Sequence, residues 1–310
     1  MIEYLQNNTL KDTPSLSGGK KRVRFIINPY SGVRKRLNVE ALIAQELDAF
    51  QFQFDIVYTE YAGHAIELAQ EAAREGLDVV FAVGGDGSVN EVAQGLIDSN
   101  TALGILPAGS GNGFAMYLGW GRNIPSVLRR LSTAKVQVID TCLLNGRPFV
   151  NLAGVGFEAK VAHQLKGSKL RGLQGYAKHF FKHLFGYKFK KYEITVDNQT
   201  VTTEAFTITV ANAPMYGYNF VVAPAAKFND GQLEVVIFKP ANKLRYFFTT
   251  LRMLTKSINR SPLVKRLSGK HIDITLFDDD YAQVDGEGFE VEQRKLTFTV
   301  KPLSLRVLVP

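Results

Sequence analysis

Short apolar runs alternate with amphipathic stretches through the first third of the chain. Residues 23–27 (Val-Arg-Phe-Ile-Ile) predict a strand, and Leu42, Ile43, Leu47 and Phe50 then recur at helical spacing. Residues 52–59 predict a second strand; residues 63–74, rich in Ala, Glu and Leu, predict a second helix. Residues 77–83 form an apolar run that ends in Gly84-Gly85, the pattern of a strand covered on both faces. A helix follows over 90–97, then another buried strand over 102–106 that runs into a second glycine-rich loop. This alternation predicts a doubly wound parallel sheet. Ligands of such sheets bind beyond the carboxyl ends of the strands, where both glycine-rich loops fall.

After about residue 137 the pattern changes. Strand-like segments follow one another at 149–153, 192–196, 200–211, 233–238, 271–276, 296–300 and 303–309. Asp197-Asn198 is a hairpin-turn signal between the second and third. Consecutive strands predict an antiparallel sandwich or barrel. The expected organisation is a loose lead-in over 1–20, an α/β domain over 21–136 and a β-rich domain over 137–310. The last strand is free to return to the first domain.

Composition narrows the class. The chain has 310 residues with 45% hydrophobic content, enough to bury a sizeable core, and 21% charged residues, too few for wholesale disorder. The net charge of +8 favours anionic partners, whether nucleotide, nucleic acid or membrane surface. No recognition-helix or RNA-binding signature accompanies it, so a nucleic-acid partner is not expected. Cys142 is the single cysteine and sits in an apolar run, reading as a core residue in a reducing, cytoplasmic compartment. Residues 1–20 are polar without an apolar signal core, and no apolar run is long enough to span a bilayer.

The richest stretch is Gly84-Gly85-Asp86-Gly87-Ser88-Val89-Asn90-Glu91. Its glycines let backbone N–H groups approach a phosphate, and the following helix points its positive end at the same place. Asp86 is the carboxylate inside that cradle, suited to a metal, a hydroxyl or a proton; the alternative is a glycine-rich turn in which it caps the helix. No Gly-Lys-Ser/Thr closes the loop, which separates it from the Walker A pattern. The second loop, Pro107-Ala108-Gly109-Ser110-Gly111-Asn112-Gly113, offers the Ser110 hydroxyl and the Asn112 amide to phosphate or ribose. Asn28-Pro29-Tyr30-Ser31-Gly32 ends another strand. Far downstream, Asp285-Gly286-Glu287 places two carboxylates about a glycine, as a general base and its orienting partner or as a simple turn.

These segments, with Asn229-Asp230-Gly231, occur in the order found in the diacylglycerol kinase catalytic-domain superfamily, which includes bacterial lipid kinases and sphingosine and ceramide kinases. The resemblance runs from residue 23 to the C-terminus; NAD kinases share only the Gly-Gly-Asp-Gly portion. It implies a nucleotide-binding α/β domain, an antiparallel β domain and an active site between them. It further implies ATP contacts at Asn28, Pro29, Ser31, Gly32, Thr59, Gly84, Gly85, Asp86, Gly87, Ser88, Asn90 and Ser110, with Glu91, Gly109 and Asn112 adjoining. The bacterial branch implies Mg²⁺ at Asp230 with the backbone carbonyls of Lys227 and Gln232. The same resemblance makes Glu287 the catalytic base with Asp285 beside it, and Asp86 either assists through Mg²⁺ or shares the base role. Ser88 stands where many diacylglycerol kinases have Thr. The Pro-Ala-Gly-Ser-Gly-Asn loop is closer to sphingosine kinases, which leaves diacylglycerol and a sphingoid base both open as acceptor.

A lipid acceptor requires a visit to the membrane. Residues 160–191 hold nine Lys or Arg and no Asp or Glu, interleaved with large apolar side chains. Leu173, Tyr176, Phe180 and Leu184 lie at helical spacing, a pattern for transient docking on the anionic inner face of the membrane or for an amphipathic helix packed on its own domain. A second acid-free stretch, 239–271, carries Phe247, Phe248, Leu251, Met253 and Leu254 and is the candidate other wall of a lipid entrance. His179 and His183 are four apart but lack acidic or cysteine neighbours, so no zinc site is expected there. The alternatives are an NAD kinase, against which the Asp-Gly-Glu and basic aromatic segments argue, and a catalytically silent nucleotide- or lipid-binding module, against which Asp86, Asp285 and Glu287 argue; a homodimer is the candidate assembly.

Overall fold

The computed structural model describes residues 19–30, 38–48, 51–166, 168 and 172–310. Its first layer follows the apolar runs. β1 (Lys21–Ile27), α1 (Val39–Glu46), β2 (Phe52–Tyr58), α2 (His64–Arg74), β3 (Val79–Gly84), α3 (Asp86–Leu96) and β4 (Ala102–Pro107) alternate along the chain. Short α4 (Gly113–Tyr117) and α5 (Ile124–Arg129) follow. β3 and β4 bury every residue, as their unbroken apolar sequences require. The strands lie in the order β2-β1-β3-β4, all parallel. Because β1 sits between β2 and β3, its neighbours are reached in opposite directions. Right-handed crossovers then place α1 on one face and α2 and α3 on the other. On one face Arg129 of α5 pairs with Glu46 of α1 at 3.0 Å; on the other, Gly95 of α3 lies against Ala69 of α2. The order reverses between the ends of β1 and β3, the position where such sheets hold ligands.

The second half is antiparallel. It contains β5 (Lys135–Leu144), β6 (Arg147–Phe149), β7 (Leu152–Gly156), α6 (Phe157–Leu165), α7 (Gly172–Leu184), β8 (Lys190–Val196), β9 (Gln199–Ala205), β10 (Thr207–Ala211), β11 (Leu233–Phe238), α8 (Lys243–Leu254), β12 (Val264–Gly269), β13 (His271–Leu276), β14 (Tyr281–Val284), β15 (Glu287–Glu290) and β16 (Lys295–Val309). One sheet runs β12-β11-β10-β7-β14-β15. Facing it, β16-β13-β8-β9 continue the first domain's sheet. Between the two layers lie buried Phe149, Tyr192, Ile274 and Phe298 from one side and Val155, Ile208, Val235 and Ile237 from the other. The helices α6 to α8 cover the outer face, over Phe157, Leu184, Tyr187, Phe206 and Tyr246.

Several elements differ from the sequence-based expectation. The 200–211 segment is two strands. β9 pairs with β8, then the chain crosses at Phe206 to the other layer, where β10 pairs with β7 and β11. Conversely, 296–300 and 303–309 form one strand, β16, with an irregularity between Lys301 and Leu305. β16 pairs with β13 and β5 and meets β4 in parallel at Val307↔Leu103. The boundary expected near residue 136 falls inside β5. Helix α3 begins at Asp86 and not at Asn90, because glycines at its start supply N–H groups without interrupting it. Phe50 lies outside the described residues.

Candidate active site

The ends of β1, β3 and β4 converge. Asn28 follows β1; its N–H donates to the Val83 carbonyl at 3.1 Å, its Nδ2 to Ser88 Oγ at 3.3 Å, and its Oδ1 accepts from Tyr30 N at 2.9 Å. Pro29 lies within that turn, while Ser31 and Gly32 lie outside the described residues. Helix α3 starts from Gly85 in extended conformation with no side-chain cap. The first-turn N–H groups of Asp86, Gly87 and Ser88 therefore remain for an anion. Asp86 is the first helical residue and not the cap. A Cβ on Gly109 would come within 2.3 Å of Gly85 Cα, so the two glycine-rich loops touch backbone to backbone. Gly84 likewise has Ser88 Oγ where its Cβ would be.

Some expected nucleotide contacts have other partners. Asn112 is buried with φ of +51°; its Nδ2 donates to the Gly109 carbonyl at 2.6 Å and its Oδ1 accepts from Gly109 N at 3.2 Å. It shapes the loop, and exposed Ser110 is the group left facing out. Glu91 Oε1 accepts from Gly63 N at 3.1 Å, fixing the turn before α2. Buried Thr59 follows β2, its N–H donating to the Ile27 carbonyl at 3.0 Å.

Asn90 reaches across the molecule. Its Nδ2 donates to Asp285 Oδ2 at 2.7 Å and to the Pro148 carbonyl at 3.3 Å. Asp285 also accepts from the N–H groups of Val150 at 3.0 Å, Asn151 at 3.0 Å and Leu152 at 2.9 Å. Desolvation raises its pKa, and these donors pull it back down. Both oxygens of Asp285 are thus held by donors from two other parts of the chain. Asp285 and Gly286, with φ of +46° and +89°, form the two-residue turn of the β14–β15 hairpin. This hairpin sets Glu287 on the rim, its side chain 74% exposed and paired with Lys166 Nζ at 3.0 Å. Asp86 accepts from Gly113 N at 2.9 Å through Oδ1. Desolvation and then the nearby Asp285 carboxylate raise its pKa, and N–H groups at residues 112–114 oppose the rise.

The Asp230 turn lies apart, beside a cleft of about 250 Å³ lined also by Lys227, Gln232 and Arg266. Asp230 Oδ1 accepts from Gln232 N at 3.1 Å. Neighbouring Asp140 accepts from Gly231 N at 2.7 Å and Leu303 N at 2.8 Å. Partial desolvation and the Asp140 charge hold the Asp230 carboxyl above its ordinary value. A hard divalent cation suits one carboxylate flanked by carbonyl oxygens with a second negative charge nearby. Among the described residues no three His, Cys, Asp or Glu cluster to hold a metal.

Sequence reasoning missed the segment after β10. Gly217 packs on Gly111 and Gly113 of the second loop, and Tyr218 lies under the Arg122 guanidinium at 5.1 Å. Arg122 Nη2 also donates to the Gly111 carbonyl at 2.9 Å. Behind this contact the Tyr216 hydroxyl donates to Glu158 Oε2 at 2.5 Å, and desolvation pushes the Glu158 carboxyl up to about 7. No local motif announces these residues, because every contact joins distant parts of the chain.

Comparison with known proteins covers both halves of the chain. Residues 22–144 match the diacylglycerol kinase catalytic domain, and residues 151–309 match the YegS C-terminal NAD kinase beta sandwich-like domain. A diacylglycerol kinase of Staphylococcus saprophyticus is 30% identical over 277 residues, covering 86% of this chain and 89% of its own. One from Bacillus subtilis is 28% identical over 276 residues, covering 86% and 90%. The crystal structure of a diacylglycerol kinase from Bacillus anthracis superimposes with a TM-score of 0.66 at 20% identity, over 94% of this chain and 97% of that one. The fold is an N-terminal α/β domain with a parallel sheet followed by an antiparallel two-layer domain, and with it the chain belongs to the diacylglycerol kinase catalytic-domain family of kinases.

Proposed function

We propose that this kinase transfers the γ-phosphoryl group of ATP to a hydroxyl of a membrane lipid such as diacylglycerol or a sphingoid base. The Asn90–Asp285 hydrogen bond carries the reading, because it joins the glycine-rich helix start to the Asp-Gly-Glu hairpin in one cleft. Backbone N–H groups at the start of α3, with the exposed Ser110 hydroxyl, hold the phosphates. Glu287 removes the proton of the acceptor hydroxyl, whose oxygen bonds to the γ-phosphorus as the bond to the β–γ bridging oxygen breaks and ADP leaves. Asp285 fixes the hairpin that presents Glu287. Asp86, beside the phosphate cradle, is the second candidate base. Mg²⁺ held at Asp230 with the Lys227 and Gln232 carbonyls would stabilise the β-domain turn, and Mg²⁺ carried by the nucleotide would neutralise phosphate charge.

The deciding measurement is phosphate transfer from labelled ATP to diacylglycerol, monoacylglycerol, sphingoid base, ceramide and NAD in parallel. Label appearing in a lipid supports the reading and names the acceptor. Label appearing in NAD alone would replace it with an NAD kinase.

A further inference from the structure

Helix α8 is turned opposite to an ordinary surface helix. Its polar-tipped side packs inward: Tyr246 and Thr249 are buried, and Tyr246 stacks on Phe206 at 4.0 Å with its hydroxyl donating to the Lys239 carbonyl at 2.8 Å. Its apolar stripe points out. Leu244, Phe247, Phe248, Leu251 and Leu254 follow helical spacing and are 42–63% exposed. A stripe at this spacing normally faces a core, and contiguous apolar patches of this kind mark an interaction surface.

The charge around the stripe selects the partner. Residues 239–272 contain nine Lys or Arg and no Asp or Glu. The surface continues to the segment that leaves α7, because Lys243 Nζ donates to the Tyr187 carbonyl at 3.0 Å. Just before Tyr187, Phe185 is 76% exposed. On α7 itself Tyr176 and Phe180 pack into the core beneath, while Lys178 and Lys182 are exposed. Thus α7 brings positive charge together with exposed Leu173 and Phe181, and α8 brings the longer apolar stripe. A second copy of this chain would set two positive rims against each other, whereas an anionic bilayer offers acyl chains to the stripe and negative headgroups to the rim. We infer that α8 is the element that inserts into an anionic lipid surface, with the end of α7 beside it. The purpose of this docking rests on the lipid-kinase reading; the binding itself does not.

The test uses the whole chain and vesicles of equal parts phosphatidylglycerol and phosphatidylcholine. Phe247→Gln, Phe248→Gln and Leu251→Gln together keep helix-forming residues at exposed positions, so melting and circular dichroism should match the parent. This variant should lose about tenfold or more in vesicle partitioning at both low and high salt. A variant with Lys178→Gln, Lys182→Gln and Arg245→Gln should lose binding at low salt and match the parent at high salt. Phe248→Trp should be quenched by brominated acyl chains, while native Trp120 is buried and should not be. Parent-level binding by the apolar variant, or an unquenched Phe248→Trp, overturns the inference. So does an apolar variant that changes only from dimer to monomer, which would assign the stripe to a second copy. Transfer to a dispersed short-chain acceptor should be equal in parent and variants. If the parent phosphorylates no lipid yet binds vesicles through α8, the kinase reading fails and the docking surface stands.

Discussion

Asp285 and Glu287 are two residues apart and occupy opposite environments. Replacing Asp285 with Ala strips the acceptor from three backbone N–H groups and from Asn90. Each orphaned donor costs about 1–3 kcal/mol, so the melting temperature should fall by several degrees or more. Glu287→Gln touches only an exposed ion pair and should leave melting nearly unchanged. Its kcat should drop by roughly two orders of magnitude, with ATP affinity preserved. Calorimetry and steady-state kinetics on the pair separate the roles, and a normal kcat in Glu287→Gln would move the base to Asp86. Glu158 gives a pH dependence. Its folded-state pKa, about 7, lies above the ordinary 4.5, so its stabilising share is whole below the ordinary value and is lost as pH rises through about 7. Glu158→Gln keeps an acceptor for the Tyr216 hydroxyl and cannot ionise. It should melt like the parent near pH 4 and higher than the parent above about pH 8, by at most about 3 kcal/mol. Parallel pH-melting curves for the two proteins would show Glu158 to be irrelevant.

At the scale of elements, the site is a helix start held against a hairpin. α3 brings Asp86 and the free N–H groups, the β14–β15 hairpin brings Asp285 and Glu287, and Asn90 is the side chain that joins them. Asn90→Ala should therefore lower kcat and the efficiency toward lipid while leaving ATP affinity within about twofold. A matching loss of ATP affinity would instead return Asn90 to the nucleotide contacts that the family resemblance implies. The two partners differed in legibility. Asp285-Gly286 is a local turn signal, and the glycines of α3 are visible as spacing. Their meeting is not local, since 195 residues separate Asn90 from Asp285.

Across the whole molecule, β16 ties the halves together. It pairs with β13 and β5 of the second domain and with β4 of the first, and Trp120 Nε1 donates to the Leu308 carbonyl at 2.8 Å. A shared strand predisposes the two domains to unfold together. Calorimetry should show one transition, and deletion of residues 303–310 should abolish it rather than remove half of it. Two separated transitions in the intact chain, or a folded first domain in the truncated one, would show the halves to be independent.

The sequence alone determined the alternating α/β layer, because strands covered on both faces must be apolar throughout and β3 and β4 are. It also placed Gly85 and Asp86 just beyond a strand end, because the apolar run stops at Gly84. Tertiary structure decided what local pattern cannot carry. It split 200–211 between two layers, because a strand's sequence does not say which sheet receives it. It turned Asn112 onto its own loop and Glu91 onto the turn before α2. It pointed the apolar stripe of α8 outward, because periodicity gives a helix its faces and only packing decides which of them meets the core.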